Sequence, residues 1–371
     1  MNDRNLHLIA LAMTKGLGPV TVKQLIAYCG SPKAVWTAPK RKLLKAPGIG
    51  QHAIQLVRNS ATLMQAEREL NWCQDQGVEV LTYLDAAYPH PLKYIHDAPL
   101  VLFKKGQIDF NRQPAVAIVG TRKATDRGKE LTEQFGRMFS QAGLNVVSGL
   151  AYGIDIAAHR TVLKHGGMTT AVLAHGLDQI YPWRHRHKAE EMLERGGWLS
   201  EYFTRTKPEA MHFPARNRII SGMCQAVLVV EAAEKGGALI TARYAFEQNR
   251  QVYAIPGRIG DPYAIGCNEL IRRHIAQLAT KPEEVLEGLE IQWNPASDPA
   301  PQLALELAPP QEPLSPDESK VLNLLAQGSF TIDQITDRTG IPISRLNPLL
   351  LTLEFKELLR QTPGKKFRRV I

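Results

Sequence analysis

Val116-Ala117-Ile118-Val119-Gly120-Thr121-Arg122 decides the fold. A short apolar, largely β-branched run ends in glycine and a polar tip, and a helix-patterned segment follows from Gly128 to Gln141. The pattern then repeats. Leu144-Asn145-Val146-Val147 runs into Ser148-Gly149-Leu150-Ala151-Tyr152-Gly153-Ile154-Asp155 and a second helical segment. Strand, tight turn and helix, twice over, is the order of a parallel, doubly wound sheet. In such sheets ligands sit beyond the carboxyl ends of the strands. Glycines there let the backbone approach an anion, and helix N-termini aim amide hydrogens at it. Gly120, Thr121, Arg122, Ser148 and Gly149 are therefore expected to form an anion site, for phosphate.

Further strands are expected at Thr169–Leu173, Trp198–Glu201, Ala226–Val230 and Gln251–Ala254, most of them separated by helical patterns. Nearly continuous apolar strands imply a sheet covered on both faces. Upstream, Val78–Thr82 and Ala98–Phe103 read as strands that extend the sheet on one edge. Residues 71–290 are thus read as one extended Rossmann-like α/β domain.

Residues 1–70 read as wholly helical. Two glycine turns, Gly16-Leu17-Gly18 and Gly48-Ile49-Gly50, each follow a short helix and precede another. Such turns resemble helix-hairpin-helix motifs, whose amides contact DNA phosphates without reading sequence. They equally suit close helix packing in a small bundle, and both readings stay open. Pro19 removes one amide donor from the first turn.

Residues 291–313 form a linker held extended by Pro295, Pro299, Pro301, Pro309, Pro310 and Pro313. Residues 314–371 carry capping boxes at Ser315-Pro316-Asp317-Glu318 and Thr331-Ile332-Asp333-Gln334, a stop at Gly340, and a third helix from about Ile343 to Leu358. Leu359 to Val370 then reads as two strands around Pro363-Gly364. Three helices and a hairpin make a winged helix. Its acid-free tail suits phosphate contacts. The helix bearing Ser344, Arg345 and Asn347 is poor in base-reading side chains, which suits protein docking equally.

The chain has 371 residues and a formal net charge of +9, which favours a polyanionic partner. Its four cysteines are scattered without a CxxC pair, so they read as reduced thiols rather than a disulfide framework or zinc site. No apolar run approaches the roughly 18 residues of a membrane span. The segment Leu6–Met13 lacks a basic flank and keeps helical spacing, so a cytoplasmic location is expected.

A second informative stretch is Phe213-Pro214-Ala215-Arg216-Asn217-Arg218. Arg216 and Arg218, two apart at a helix start, point in different directions. One is expected to reach the ligand, and the other to pair with Glu201 or Glu231. Asn217 offers a donor and an acceptor. Phe213 offers either a stacking face or a core contact. After the next strand, Lys235, Gly236 and Gly237 open a helix and form a second phosphate-type turn. No GxxxxGK[ST] is present, which argues against P-loop hydrolysis. His185 and His187 read as solvated surface, and His159 and His175 as structural. Asp155 and Glu231 could act as acid or base, or cap helices. No catalytic constellation, metal site or cofactor is expected.

Val119–Arg122, Ser148–Asp155, Phe213–Arg218 and Glu231–Arg243, with Ile255-Pro256-Gly257 and Gly266–Ile271, together resemble the DNA-processing protein A family (DprA, also called Smf). The resemblance covers the whole chain. It implies a helical sterile-alpha-motif-like or hairpin domain, an extended Rossmann domain and a winged helix. It also implies a homodimer that binds single-stranded DNA without sequence preference, protects incoming strands and loads the RecA recombinase during natural transformation. Carried over, Gly120, Arg122, Ser148, Gly149, Phe213, Arg216, Asn217, Lys235 and Gly237 would line the DNA pocket. Some relatives place a basic residue just upstream of Phe-Pro. Here Ala210, Met211 and His212 stand there, and Lys207 is the nearest substitute.

The alternative is an enzyme acting on a nucleotide. The glycine turn after Glu231 also resembles that of phosphoribohydrolases with a related Rossmann core. Their turn is followed by a catalytic glutamate, whereas Ala238 to Arg243 supplies no carboxylate.

Overall fold

The computed structural model describes residues 3–57, 60–291, 315–326, 328–355, 358–362 and 366–369. The proline-rich linker (apart from Ile291) and the Pro363-Gly364 turn lie outside these. The chain divides into two compact units, Met1–Ser297 and Asp298–Ile371.

The first unit begins with α1 (Asp3–Met13), α2 (Pro19–Cys29), α3 (Pro32–Thr37), α4 (Lys40–Leu43), α5 (Gln51–Leu56) and α6 (Ser60–Asp75). Gly18 and Gly50 sit at the N-caps of α2 and α5, where the sequence places the glycine turns. The strands follow: β1 (Glu79–Thr82), β2 (Val101–Gly106), β3 (Ala115–Val119), β4 (Asn145–Ser148), β5 (Met168–Leu173), β6 (Gly197–Ser200), β7 (Ala226–Val229), β8 (Gln251–Ala254) and β9 (Gln277–Leu278). Between and after them run α7 (Asp126–Gln141), α8 (Ile154–Lys164), α9 (Arg186–Arg195), α10 (His212–Met223), α11 (Gly237–Glu247), α12 (Ile265–Arg272) and α13 (Pro282–Gly288).

Among the described residues the strands form one sheet in the order β1-β2-β6-β5-β4-β3-β7-β8-β9. The run from β6 to β9 is parallel, and β1 and β2 add an antiparallel edge, as the upstream apolar runs suggest. From β3 the chain winds outward through β4, β5 and β6, then returns to β3's other side as β7 and continues outward. The β3–β7 boundary is therefore the topological switch point, where open α/β sheets bind ligands.

Side chains alternate along β3 with the strand period of two. Val116 and Ile118 pack with Phe135 and Phe139 of α7 and Ile154 and Val162 of α8. Ala117 and Val119 pack with Ile219 and Ile220 of α10 and Ala238 and Ala242 of α11. Both faces are covered, which accounts for the unbroken apolar strand sequences. A further apolar cluster joins Leu8, Leu11, Leu25 and Val35 of the N-terminal helices to Val101, Phe103, Ala171 and Trp198 of the sheet. The helical segment therefore shares its core with one end of that sheet.

The second unit comprises α14 (Pro316–Leu325), β10 (Phe330–Thr331), α15 (Ile332–Thr339), α16 (Ile343–Phe355), β11 (Leu359–Thr362) and β12 (Lys366–Arg369). Both capping boxes form, and Gly340 closes α15 in the left-handed region at φ 72°. The hairpin strands pair, and β10 adds a third strand beside β12. This is a winged helix with a short extra strand that the sequence reading missed.

Candidate nucleic-acid interface

The loops after β3 and β7 are tied together at the switch point. Thr121 N donates to Glu231 O at 2.8 Å, and Ile154 N to Thr121 O at 3.2 Å. Gly153, at φ +78°, makes the close approach possible, since a Cβ there would lie 2.2 Å from Thr121 O. Gly120 is glycine for a similar reason: a Cβ would meet Ile154 at 2.4 Å. These glycines first serve loop packing, and the packing sets the cavity wall.

A cavity of about 1170 Å³ opens above the loops. Gly120, Arg122, Phe213, Arg216, Asn217, Lys235 and Gly237 line it, so the geometry gathers residues from three separate sequence motifs. Arg122 and Lys235 are exposed at its mouth. The Arg122 guanidinium lies 5.3 Å from the centroid of the Phe213 ring, and among the described residues no carboxylate pairs with it. Tyr181, 45% exposed, places its ring 5.9 Å from that of Phe213. Gly237 begins α11, and no side chain caps that helix.

Arg216 lies deeper and is only 4% exposed. Its Nε donates to Asn217 Oδ1 at 3.2 Å, and Nη1 donates to Gly149 O at 3.0 Å and to Val172 O. Burial pushes its pKa down to about 10, against the opposing charge of Asp155, so it stays a cation at neutral pH. Asn217 uses its amide nitrogen on Gly237 O at 3.2 Å, fixing the start of α11 against α10. Arg218 turns the other way and pairs with Glu201 at 2.6 Å and Asp97 at 2.9 Å. Arg218 is thus the arginine that pairs internally, with Glu201 as one of the two partners expected and Asp97 as a further one.

Ser148 and Gly149 are not among the lining residues; they sit behind the wall. Ser148 is fully buried and its Oγ donates to Ile118 O at 2.7 Å, pinning β4 to β3. Gly149 N–H is held by Asp155 Oδ2 at 3.1 Å. Lys207 is exposed and does not line the cavity, whereas its neighbours Pro208 and Ala210 do.

The two candidate carboxylates, Asp155 and Glu231, have structural work, while Glu234 and Glu247 also line the cavity. Asp155 also accepts from Ala151 N, and burial raises its pKa. Glu231 accepts from Thr125 N at 3.0 Å and from Thr125 Oγ1, fixing the N-cap of α7. His159 bonds Thr169 and His175 bonds Gly176 O, as expected of structural histidines. His185 departs from expectation: it is buried, with Nδ1 on Leu150 O at 2.8 Å. Among the described residues no group of histidine, cysteine and carboxylate side chains could hold a metal ion. The four cysteines are free thiols.

Tyr181 and Arg243 line the cavity without having been singled out in the sequence. The available signal for Tyr181 was an exposed-type aromatic beside Pro182 in the loop that follows β5 and its Gly176.

A sequence model of the DNA recombination-mediator protein A matches residues 79–290. The chain belongs to this family. A second model, of the DprA winged helix domain, matches residues 305–365. The Smf protein of Synechocystis is 34% identical over 395 residues, covering 99% of each chain. The solved structure of DprA from Streptococcus pneumoniae is 33% identical, with a TM-score of 0.65, over 78% of this chain and 99% of that one. DprA of Helicobacter pylori, whose structure is described for its single-stranded DNA binding mode, is 28% identical, with a TM-score of 0.53, over 58% and 97%. The DprA model spans the whole switch-point cavity, from the loop after β3 to α11. Among the described residues no helix is long and apolar enough to cross a membrane.

Proposed function

We propose that this DprA-family chain binds single-stranded DNA without sequence preference in the switch-point cavity. The observation that carries the reading is the unpaired Arg122 cation over Phe213, with Tyr181 beside it. A cation suits a phosphate, and adjacent aromatic faces suit unstacked bases of any identity. Arg122, Lys235 and the Gly237 end of α11 take phosphates, and Phe213 takes a base. Gly120, Arg216 and Asn217 complete the wall, and Ser148 and Gly149 support it from behind. The H. pylori relative described as binding single-stranded DNA supports the same reading.

The protein acts by binding rather than catalysis. That reading is supported by the commitment of Asp155 and Glu231 to backbone and Thr125 contacts. Protection of incoming strands, loading of RecA during transformation or recombination, a homodimeric state and a cytoplasmic location follow from the family resemblance. No cofactor is invoked.

Fluorescent oligo-dT titrated across a salt series, beside a matching duplex, tests the proposal. The expected result is a preference for the single strand at about 150 mM salt, with a log–log slope of about −0.7 per phosphate for about 3 to 5 phosphates. Absence of salt-dependent oligo-dT binding, or release of free base from nucleoside monophosphates, would overturn it. RecA loading is checked by RecA filament nucleation on strands coated with single-strand-binding protein, with and without this chain.

A further inference from the structure

One stretch near the start of the sequence holds an excess of positive charge as large as that of the whole chain. Residues 4–66 contain nine Lys and Arg and no Asp or Glu, so this stretch alone matches the +9 of the whole molecule. The remainder carries as many acidic as basic residues. The stretch spans α1 to α5 and the start of α6, and it precedes the first residue matched by the DNA recombination-mediator model.

Folding leaves at least five of these cations on the surface. Lys15, Lys40, Arg41, Lys42 and Lys45 are exposed, and among the described residues none has a carboxylate partner. Four of the five lie on or just after α4, where only Leu43 is buried as an anchor. The α/β sheet region, apart from Arg122 and Lys235 at the cavity, pairs a number of its surface cations. There Arg127, Lys129, Lys164, Arg186 and Arg272 are each paired with a nearby glutamate or aspartate. An unneutralised cluster repels itself and costs stability, and it gathers counter-ions that a polyanion would displace.

The neighbourhood suits a phosphate backbone better than bases. Between residues 3 and 57 the exposed large apolar side chains are Tyr28 and Leu44, and they form no ring pair comparable to Phe213 and Tyr181. The Gly16–Gly18 turn packs on α5, since a Cβ at Gly16 would lie 2.9 Å from Leu56. Both glycine turns therefore belong to one body with the cationic helix. Lacking a stacking platform, the surface favours the polyanion of highest linear charge density, which is duplex DNA at about one charge per 1.7 Å.

We propose that the N-terminal helical layer is a second, sequence-independent DNA site, which holds the phosphodiester backbone of a duplex and is separate from the single-strand cavity. It does not depend on the reading of that cavity. The test substitutes Lys40→Gln, Arg41→Gln, Lys42→Gln and Lys45→Gln together in the full chain. All four positions are exposed, and an unchanged thermal melt verifies the fold. At about 50 mM salt, affinity for a duplex of about 24 base pairs is expected to fall about tenfold or more, and the salt slope to flatten by about 3. Binding of an oligo-dT of about six nucleotides is expected to stay unchanged. Undiminished duplex binding in the variant, or a parallel loss for the short oligo-dT, would overturn the proposal. So would retained duplex binding with lost binding to phosphatidylglycerol vesicles, which would assign the surface to membranes.

Discussion

Arg216 and Asp155 converge on the backbone of Gly149. Arg216 Nη1 donates to its carbonyl at 3.0 Å, and Asp155 Oδ2 accepts its N–H at 3.1 Å. A Cβ at position 149 would lie 2.6 Å from Arg216 Nη2 and 2.8 Å from Asp155 Oδ2. Gly149→Ala is therefore expected to destabilise the fold by about 1–3 kcal/mol, as overpacking of a closed site does. Urea unfolding of the variant checks this, and an unchanged midpoint would show that the two side chains can separate freely.

The two cavity arginines are expected to separate in their effects. Arg122 is exposed and unpaired, so Arg122→Ala should leave stability within about 0.5 kcal/mol while weakening oligo-dT binding. Its salt slope should flatten by about 0.7. Arg216→Ala leaves Gly149 O and Val172 O without their donor and Asp155 without its countercharge, and it should cost about 3–5 kcal/mol of stability. Melting curves beside binding isotherms decide the matter, and similar melts for both variants would contradict the depth assigned to Arg216.

Phe213 and Tyr181 are expected to act as a pair. Phe213→Ala should cost about 1–3 kcal/mol of oligo-dT binding. Because the rings are 5.9 Å apart, adding Tyr181→Ala should cost less than the sum of the single effects. A double-mutant cycle by fluorescence anisotropy measures the coupling, and strict additivity would mean that the rings contact different parts of the strand.

His159 makes the fold acid-sensitive. Thr169 Oγ1 donates to Val146 O, so it accepts from His159 Nδ1 at 2.7 Å, and His159 Nε2 is buried without a partner. Burial, aided by the nearby His185 and Arg216, pushes the His159 pKa down to about 3 from the ordinary 6.5. Between these values the unfolded chain binds more protons than the native one. The stabilisation is thus complete above the unfolded pKa and is lost as pH falls, by about 1.4 kcal/mol per pH unit from this residue. Urea midpoints at several pH values should fall less steeply in His159→Gln than in the parent. Identical slopes would place the acid sensitivity elsewhere.

The sheet was legible because its strands are buried on both faces and punctuated by glycine. The runs at Val116–Val119, Asn145–Val147 and Gln251–Ala254 read as strands of a sheet covered on both faces, and β3, β4 and β8 occupy them. The capping boxes at Ser315 and Thr331 were legible because a cap is a local contact between residues three apart. The two-residue β10 was not, since it exists only by pairing with β12 more than thirty positions away.

The sequence by itself determined the winding of the α/β domain, the glycine turns at its switch point and the excess of cations, all properties of short segments and composition. Tertiary structure alone decided which of those residues meet. It brought Tyr181 to Phe213 across 32 positions, sent Arg218 to Glu201 and Arg216 to Gly149, and withdrew Ser148 behind the wall. The reason is physical. A local pattern fixes which face of an element is apolar, but the partner of a polar side chain depends on which distant loop the sheet order brings beside it.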